Sequence, residues 1–139
     1  MNRVRRLRSQ RGTSTLEFIV VLPTLLLVLF AIAEISRAWL TGNMVTTAAR
    51  EGARVGVVTP TGGGDTFNDA PALARITQVL AGANLTCAPL ACTVTCATPC
   101  VPDSQVQANV GVQFSTLFPV FLPMMQSLFI GQIAIMRYE

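Results

Sequence analysis

The sequence predicts an α+β fold with a long N-terminal transmembrane and stem α-helix, followed by a small head. In the head, one or two helices are expected to pack on a short, mostly antiparallel β-sheet. Three patterns predict this arrangement: an uncharged apolar run over residues 18–33, a helical repeat over residues 44–58, and strict alternation over residues 105–114. The chain of 139 residues is long enough for a membrane anchor and one small domain.

Residues 1–12 form a basic leader peptide in front of the apolar run. All ten cationic side chains are arginines, and five of them lie in the first eleven residues. Beyond residue 12, the five remaining arginines are outnumbered by seven acidic residues, so the basic charge does not indicate a nucleic-acid partner. Cationic residues beside an apolar run favour the cytoplasmic side of a membrane, so we expect the rest of the chain to cross it.

The apolar run FIVVLPTLLLVLFAIA, residues 18–33, predicts a transmembrane helix. Extended by a few residues, it reaches the length of about 20 residues that a bilayer core requires. Pro23 lies near its start and is expected to kink it. Glu34 and Arg37 are three residues apart and are expected to neutralise each other partly, while Trp39 has the position of an interfacial aromatic residue.

The helical repeat over residues 44–58 completes a transmembrane and stem helix that we place at residues 13–58. Gly42 and Asn43 mark the point at which this helix can break or bend. Small residues recur every four positions on one side of the stem, which lets another helix, strand or subunit approach closely. The residues of this small-residue row are Ala48, Gly52 and Gly56.

Residues 59–139 are predicted to form a small extracytoplasmic α/β head with a cysteine-rich loop. The head opens with a Gly/Pro-rich loop, TPTGGGD, at residues 59–65. A helix follows, which we expect Asp69 to cap at its start and Gly82 and Asn84 to end.

Alternating β-prone residues predict two strands, 92–96 and 105–114, which can pair through a turn at residues 99–103. A last strand is predicted over residues 132–138. The apolar residues 117–131 are too few for a second transmembrane helix. We expect them to form a short buried helix or a segment that packs on the sheet, and the alternative is an exposed apolar patch for a partner.

Four cysteines lie within fourteen residues of the predicted head. In an exported domain, an even number of close cysteines indicates disulfide bonds, and the sequence leaves all three connectivities of two bonds open. A zinc site is one alternative, although the gaps of four, three and three residues differ from the usual C-x2-C spacing, and free thiols are another. The residues are Cys87, Cys92, Cys96 and Cys100.

The residues for catalysis are sparse. The chain has no histidine and no lysine, which removes the commonest general base, imidazole metal ligands and Schiff-base chemistry. The triple glycine at residues 62–64 lacks the G-K-[ST] ending of a phosphate-binding loop. We therefore expect neither enzymatic activity nor a cofactor nor a metal site.

The junction between leader and apolar run carries the most specific motif. Gly12-Thr13-Ser14-Thr15-Leu16-Glu17-Phe18 matches G-x-x-x-x-E-[FY] and resembles a type IV prepilin processing site. The wider chain, best over residues 11–58, is similar to the TadE-like pilus-assembly proteins of the tight-adherence system. The further residues that carry this resemblance are VVLPTLLLVLFAIAEISRAW from Val20, TTAAREGARVG at 46–56 and MRYE at 136–139.

The resemblance implies a pilin-like fold and the function of a minor pilin or pseudopilin in a thin adhesive pilus. It implies cleavage between Gly12 and Thr13 by a prepilin peptidase. It also implies other pilins and pseudopilins, an inner-membrane assembly platform and membrane lipid as partners. The protein would cross the inner membrane once, with its N-terminus cytoplasmic and its head extracytoplasmic, and could enter the assembled pilus at the cell surface.

Glu17 has a physical role in this interpretation. A charged carboxylate near lipid is unfavourable unless it finds a partner. Cleavage after Gly12 frees an α-amine on Thr13, which can pair with Glu17 of a neighbouring subunit. Our hypothesis is that this pair sets the register between subunits, as a single buried polar residue does in a coiled coil.

Two other interpretations share much of this pattern. In the first, the protein is an uncleaved bitopic membrane protein whose head binds a partner. In the second, Ala31-Ile-Ala33 is a signal-peptidase site and the mature protein is secreted with Glu34 as its first residue.

Overall fold

The computed structural model describes residues 3–58, 67–97, 100–101, 103–117 and 127–137, with side chains from Ser14 onward. In this part of the chain, the helices α1 (Arg3–Val58) and α2 (Ala70–Gly82) precede the strands β1 (Thr93–Cys96), β2 (Gln105–Ser115) and β3 (Ser127–Arg137). The strands form an antiparallel sheet in the order β1-β2-β3. The predicted α+β fold of a long helix and a small head is confirmed.

Helix α1 is one continuous element of 56 residues, about 84 Å long at about 1.5 Å per residue. It starts at Arg3 and so includes most of the basic leader, whose arginine, leucine and glutamine residues are good helix formers. The helix does not break at Gly42 and Asn43. Their carbonyl oxygens accept hydrogen bonds from the hydroxyls of Thr46 and Thr47, at 2.8 and 2.9 Å.

The start of α2 differs from the prediction that Asp69 caps it. Asp69 occupies the N-cap position but has helical angles, φ −82° and ψ −16°, and its side chain makes no capping hydrogen bond. A capping side chain normally needs an extended backbone to reach the first free N–H groups. Here Oδ1 of Asn68 accepts from the N–H of Ala70 at 3.2 Å instead.

The end of α2 follows the prediction. Asn84 has a left-handed φ of 55° and directly follows the last turn. The N–H of Asn84 donates to the carbonyl of Ala81, and the N–H of Leu85 donates to the carbonyl of Leu80, at 3.0 and 2.9 Å. This pair of bonds is a Schellman motif, in which asparagine takes the position more often held by glycine.

Strand β2 is the central strand, and its alternation is as predicted. Its apolar side chains are buried against the helices, while Gln105, Gln107 and Gln113 are exposed. Strand β1 pairs with it from Thr93 to Cys96, which confirms the predicted pairing. The buried side chains of β2 are Val106, Ala108, Val110, Val112 and Phe114.

The predicted short helix within residues 117–131 is wrong for residues 127–131, which lie in β3, so the last strand begins at Ser127 and not at residue 132. Strand β3 pairs with β2 along its full length, from Ser127 opposite Ser115 to Arg137 opposite Gln105. A short apolar run does not by itself distinguish a strand from a buried helix. Here the long edge of β2 that β1 does not cover pairs with this segment, which therefore forms a strand. The predicted loop at 59–65 and residues 118–126 lie outside the described residues.

The core of the head includes the second half of α1. Val45, Ala48 and Ala53 are fully buried there, and Ile76 and Leu80 are the fully buried large side chains of α2. Together with the apolar face of β2, they form a single cluster. The stem is therefore a structural part of the head.

Candidate membrane anchor and assembly site

Most side chains in the N-terminal half of α1, as described from Ser14 onward, are not covered by the rest of the protein. Helix α1 is long and apolar enough to cross a membrane, and only 6% of its most apolar window is buried inside the protein. The exposed apolar side chains run from Leu16 to Leu29 and continue through Ile32 and Ile35 to Trp39. A continuous apolar helix surface that the protein itself does not cover is typical of a membrane span.

The predicted processing residues all lie in α1. The backbone of Gly12 and Thr13 is helical, and the side chains of Glu17 and Phe18 are exposed. No described side chain forms an ion pair with Glu17.

Glu34 has the opposite environment, although it lies on the same helix. It is only 7% exposed. Its Oε2 accepts from Nη1 of Arg37 at 3.1 Å, which confirms the predicted pair, and its Oε1 accepts from the backbone N–H of Leu117 at 2.7 Å. The second bond joins α1 to the segment that leaves β2, so Glu34 fixes the base of the head to the stem.

Arg37 makes a further contact at the same junction. Its guanidinium carbon lies 5.1 Å from the centre of the Phe114 ring, within the range of a cation–π interaction. Nothing in the sequence predicted that Phe114 or Leu117 would meet Glu34 and Arg37. The available signal was a charged pair directly after an uncharged run, since such a pair needs partners that keep it out of lipid.

A cavity of about 380 Å³ lies beside this junction, between stem and head. Its lining is almost entirely apolar. Thr116 contributes a buried hydroxyl that has no hydrogen-bond partner among the described residues. The head residues of the lining are Phe114, Thr116 and Leu128, and the stem residues are Ala31, Glu34, Ile35 and Ala38.

The small-residue row contacts the chain's own head. Ala48 and Gly52 are buried, and a Cβ on Gly52 would lie 2.5 Å from the side chain of Ile76 in α2. A Cβ on Gly56 would lie 2.9 Å from Val106 in β2. The row thus provides the close approach of α2 and the sheet to the stem.

The four cysteines form two disulfide bonds between near neighbours, Cys87 with Cys92 and Cys96 with Cys100. Cys96 is the last residue of β1, and Cys87 forms an isolated bridge with Val112 of β2. Both bonds therefore hold short segments against the same side of β2. The described residues contain no cluster of three or more side chains that could hold a metal ion.

Comparison with known protein families gives a match within α1. The family model described as TadE-like protein matches residues 12–54. A search of curated proteins and a search of solved structures find no significant match. The matched region contains the leader junction, the exposed apolar helix, the Glu34–Arg37 pair and most of the small-residue row. Residues 12–54 of this chain thus match the TadE-like family that the motif and the stem sequence indicate.

Proposed function

We propose that this protein is a non-enzymatic, membrane-anchored subunit that takes part in assembly of a tight-adherence (Flp-type) pilus, as a minor pilin or pseudopilin. The observation that carries the proposal is the TadE-like match over residues 12–54. It coincides with an apolar helix that is exposed along its first half and buried by a head along its second half. This division suits a subunit that is anchored first and packed against neighbours later.

Processing is the first step of the proposed function. A prepilin peptidase cleaves between Gly12 and Thr13, which removes the basic leader and frees the α-amine of Thr13. The exposed carboxylate of Glu17 lies one helical turn further along, near the start of the apolar surface. In an assembly of parallel helices, the amine of one subunit and Glu17 of the next neutralise each other, and this pairing sets the register.

The proposed topology follows from charge. The arginine-rich leader stays in the cytoplasm, the apolar part of α1 crosses the inner membrane, and the head lies outside the cytoplasm. Disulfide bonds in the head suit an oxidising compartment. The partners are the prepilin peptidase, other pilins and pseudopilins, the inner-membrane assembly platform and lipid.

The first experiment maps the N-terminus of the membrane-bound protein by mass spectrometry. The proposal expects Thr13 as the first residue. A protein that starts at Met1 would be an uncleaved bitopic protein with a partner-binding head. A protein that starts at Glu34 would be a secreted domain, and either result contradicts the proposed processing.

The second experiment tests the role of Glu17. A Glu17→Ala variant should still be cleaved, because the peptidase acts before assembly, but it should fail to enter sheared pili or to restore piliation. Glu51→Ala is the matched control, since Glu51 lies on the same helix and forms a partly exposed ion pair with Arg75. Normal assembly with the Glu17 variant would overturn the register hypothesis.

A further inference from the structure

The base of the head lies at the level where the apolar helix leaves the hydrocarbon of a bilayer. Residues 18–33 span about 24 Å at about 1.5 Å per residue, while the hydrocarbon core of a bilayer is about 30 Å thick. The core cannot extend far below Phe18, because the charged Glu17 precedes it. At the other end, the hydrocarbon therefore gives way to the interface within about four residues of Ala33, at the level of the paired Glu34 and Arg37, where the head contacts the stem.

The exposed surface of α1 agrees with this level. Ile35 and Leu40 remain exposed after the uncharged run ends, and Trp39 is 74% exposed. Tryptophan is enriched at membrane interfaces, because its ring is apolar and its N–H needs a polar partner. The interface therefore lies along the part of α1 that also carries the head.

Apolar side chains of the head are exposed at the same level. Leu117 is 61% exposed, and its backbone N–H is bonded to Glu34, so its height along the stem is fixed. Leu128 lies opposite Phe114 at the start of β3 and faces Ile35 and Ala38 across the cavity. Phe129, the next residue of β3, is also exposed, but its ring packs over Gly111 and Gly131, further up the sheet. The lower edge of the sheet is therefore apolar where water and lipid meet.

The cavity between stem and head has the same location. Its stem lining begins at Ala31, inside the uncharged run, and ends at Ala38. An apolar cavity whose lining begins inside the uncharged run lies next to the acyl chains of a bilayer that surrounds the stem. The charged groups beside the cavity are the carboxylate of Glu34 and the guanidinium of Arg37, and they form an ion pair with each other.

From this arrangement, we infer that the base of the head is a lipid-contacting surface, in which Leu117 and Leu128 enter the membrane interface and acyl chains fill the cavity beside Glu34. The occupant is the bilayer that surrounds the stem, because the exposed apolar surface is continuous with that of the span. The residues between Leu117 and Ser127, FPVFLPMMQ, carry no charge that would oppose this contact. The inference rests on the proposed membrane anchoring.

The upper part of β3 provides an internal comparison. Ile135 is 57% exposed, similar to Leu117, but it borders a groove with Thr46, Ala49 and Arg50 of α1. Thr46 is twelve residues beyond Glu34, or about 18 Å along the helix. An exposed aliphatic side chain therefore lies at each of two heights along the stem. We expect only the lower one, Leu117, to contact lipid.

The test uses tryptophan fluorescence in vesicles that contain brominated phosphatidylcholine, which quenches tryptophans near the acyl chains. Trp39 is the only tryptophan of the chain, so the unmodified protein reports the level of the stem. In a Trp39→Phe background, Leu117→Trp reports the base of the head, and Ile135→Trp is the matched control. The full chain is used in each case.

We expect Leu117→Trp to be quenched about as strongly as Trp39 and several-fold more strongly than Ile135→Trp. Quenching of Leu117→Trp that does not exceed that of Ile135→Trp, with Trp39 quenched, overturns the lipid contact and leaves the anchor intact. An unquenched Trp39 contradicts the membrane anchor itself and, with it, this inference. Leu128→Trp repeats the measurement at a second position, so that a poorly folded Leu117→Trp variant does not prevent a decision.

Discussion

At the scale of single residues, the contrast between Glu17 and Glu34 shows how position along one helix changes the role of a carboxylate. Both residues belong to α1, and they lie at opposite ends of the uncharged run of residues 18–33. Glu17 is exposed, while Glu34 accepts hydrogen bonds from Arg37 and from the backbone of Leu117. We propose the first for contact with another subunit, while the second holds the base of the head on the stem.

Replacing Glu34 is therefore expected to destabilise the head. In Glu34→Ala, the N–H of Leu117 loses a charged acceptor in a partly buried hydrogen bond, and hydrogen bonds to charged groups contribute about 1.5–3 kcal/mol. In Glu51→Ala, the lost partner is a half-exposed Arg75, and such ion pairs contribute about 0.2–1 kcal/mol. Thermal unfolding of both variants in the same detergent measures the difference. Equal melting temperatures would show that the bond to Leu117 does not stabilise the head.

Two glycines of α1 should respond to alanine in opposite directions. A Cβ at Gly52 would lie 2.5 Å from Ile76, a fully buried side chain, and overpacking costs about 1–3 kcal/mol. A Cβ at Gly42 meets no atom within 4 Å, so Gly42→Ala should gain about 1 kcal/mol of helix propensity. Denaturant unfolding should thus show Gly52→Ala below and Gly42→Ala above the unmodified protein. A stabilised Gly52→Ala would mean that α2 adjusts without loss.

At the scale of elements, the three strands differ in what specifies them, which is either their own sequence pattern or their contacts with the rest of the chain. The alternation of β2 is strict enough to predict which side chains are buried. Strand β3 has an apolar and mostly uncharged sequence, SLFIGQIAIMR, with exposed residues on both faces, so its own pattern is ambiguous. Pairing with β2 over eleven residues specifies it. Strand β1 has only four residues and is flanked by the two disulfide bonds.

The disulfide bonds are expected to stabilise β1 and its neighbouring turns modestly. Each closes a loop of only a few residues, for which the loss of chain entropy in the unfolded state corresponds to about 2 kcal/mol. A Cys87→Ser variant should leave one alkylatable thiol, Cys92, and should lower the unfolding midpoint in denaturant. Alkylation at Cys96 or Cys100 in that variant would contradict the pairing of near neighbours.

At the scale of the whole molecule, the stem and the head share one core. The fully buried Val45, Ala48 and Ala53 belong to α1, yet they pack against α2 and β2. If the head did not include the second half of α1, the apolar faces of the sheet and of α2 that pack against this helix would be exposed. A domain of about 80 residues has a modest core, so it would lose much of its stability without the part that α1 supplies.

Two fragments test this sharing of the core. Residues 59–139, without α1, should be unfolded or aggregated, because the apolar face of β2 loses the helix that covers it. Residues 33–139 keep the second half of α1 together with Glu34 and should fold. The dispersion of amide signals in NMR spectra of both fragments measures this. A folded 59–139 fragment would show that the head does not need the stem.

The sequence by itself determined those features that depend on local patterns. It predicted the uncharged helix, the Glu34–Arg37 pair, the alternating strand β2 and the α+β order, because periodicity, charge and length are properties of neighbouring residues. The TadE-like resemblance likewise lay in a contiguous stretch, residues 12–54.

Only the tertiary structure decided the remaining features, because they depend on contacts between distant residues. The bond from Leu117 to Glu34 joins positions 83 residues apart. The true extent of β3 required the edge of β2, and the pairing of cysteines required the folded turns on both sides of β1. The small-residue row could have faced another subunit or the chain's own head, and the close contact of Gly52 with Ile76 assigns it to the head.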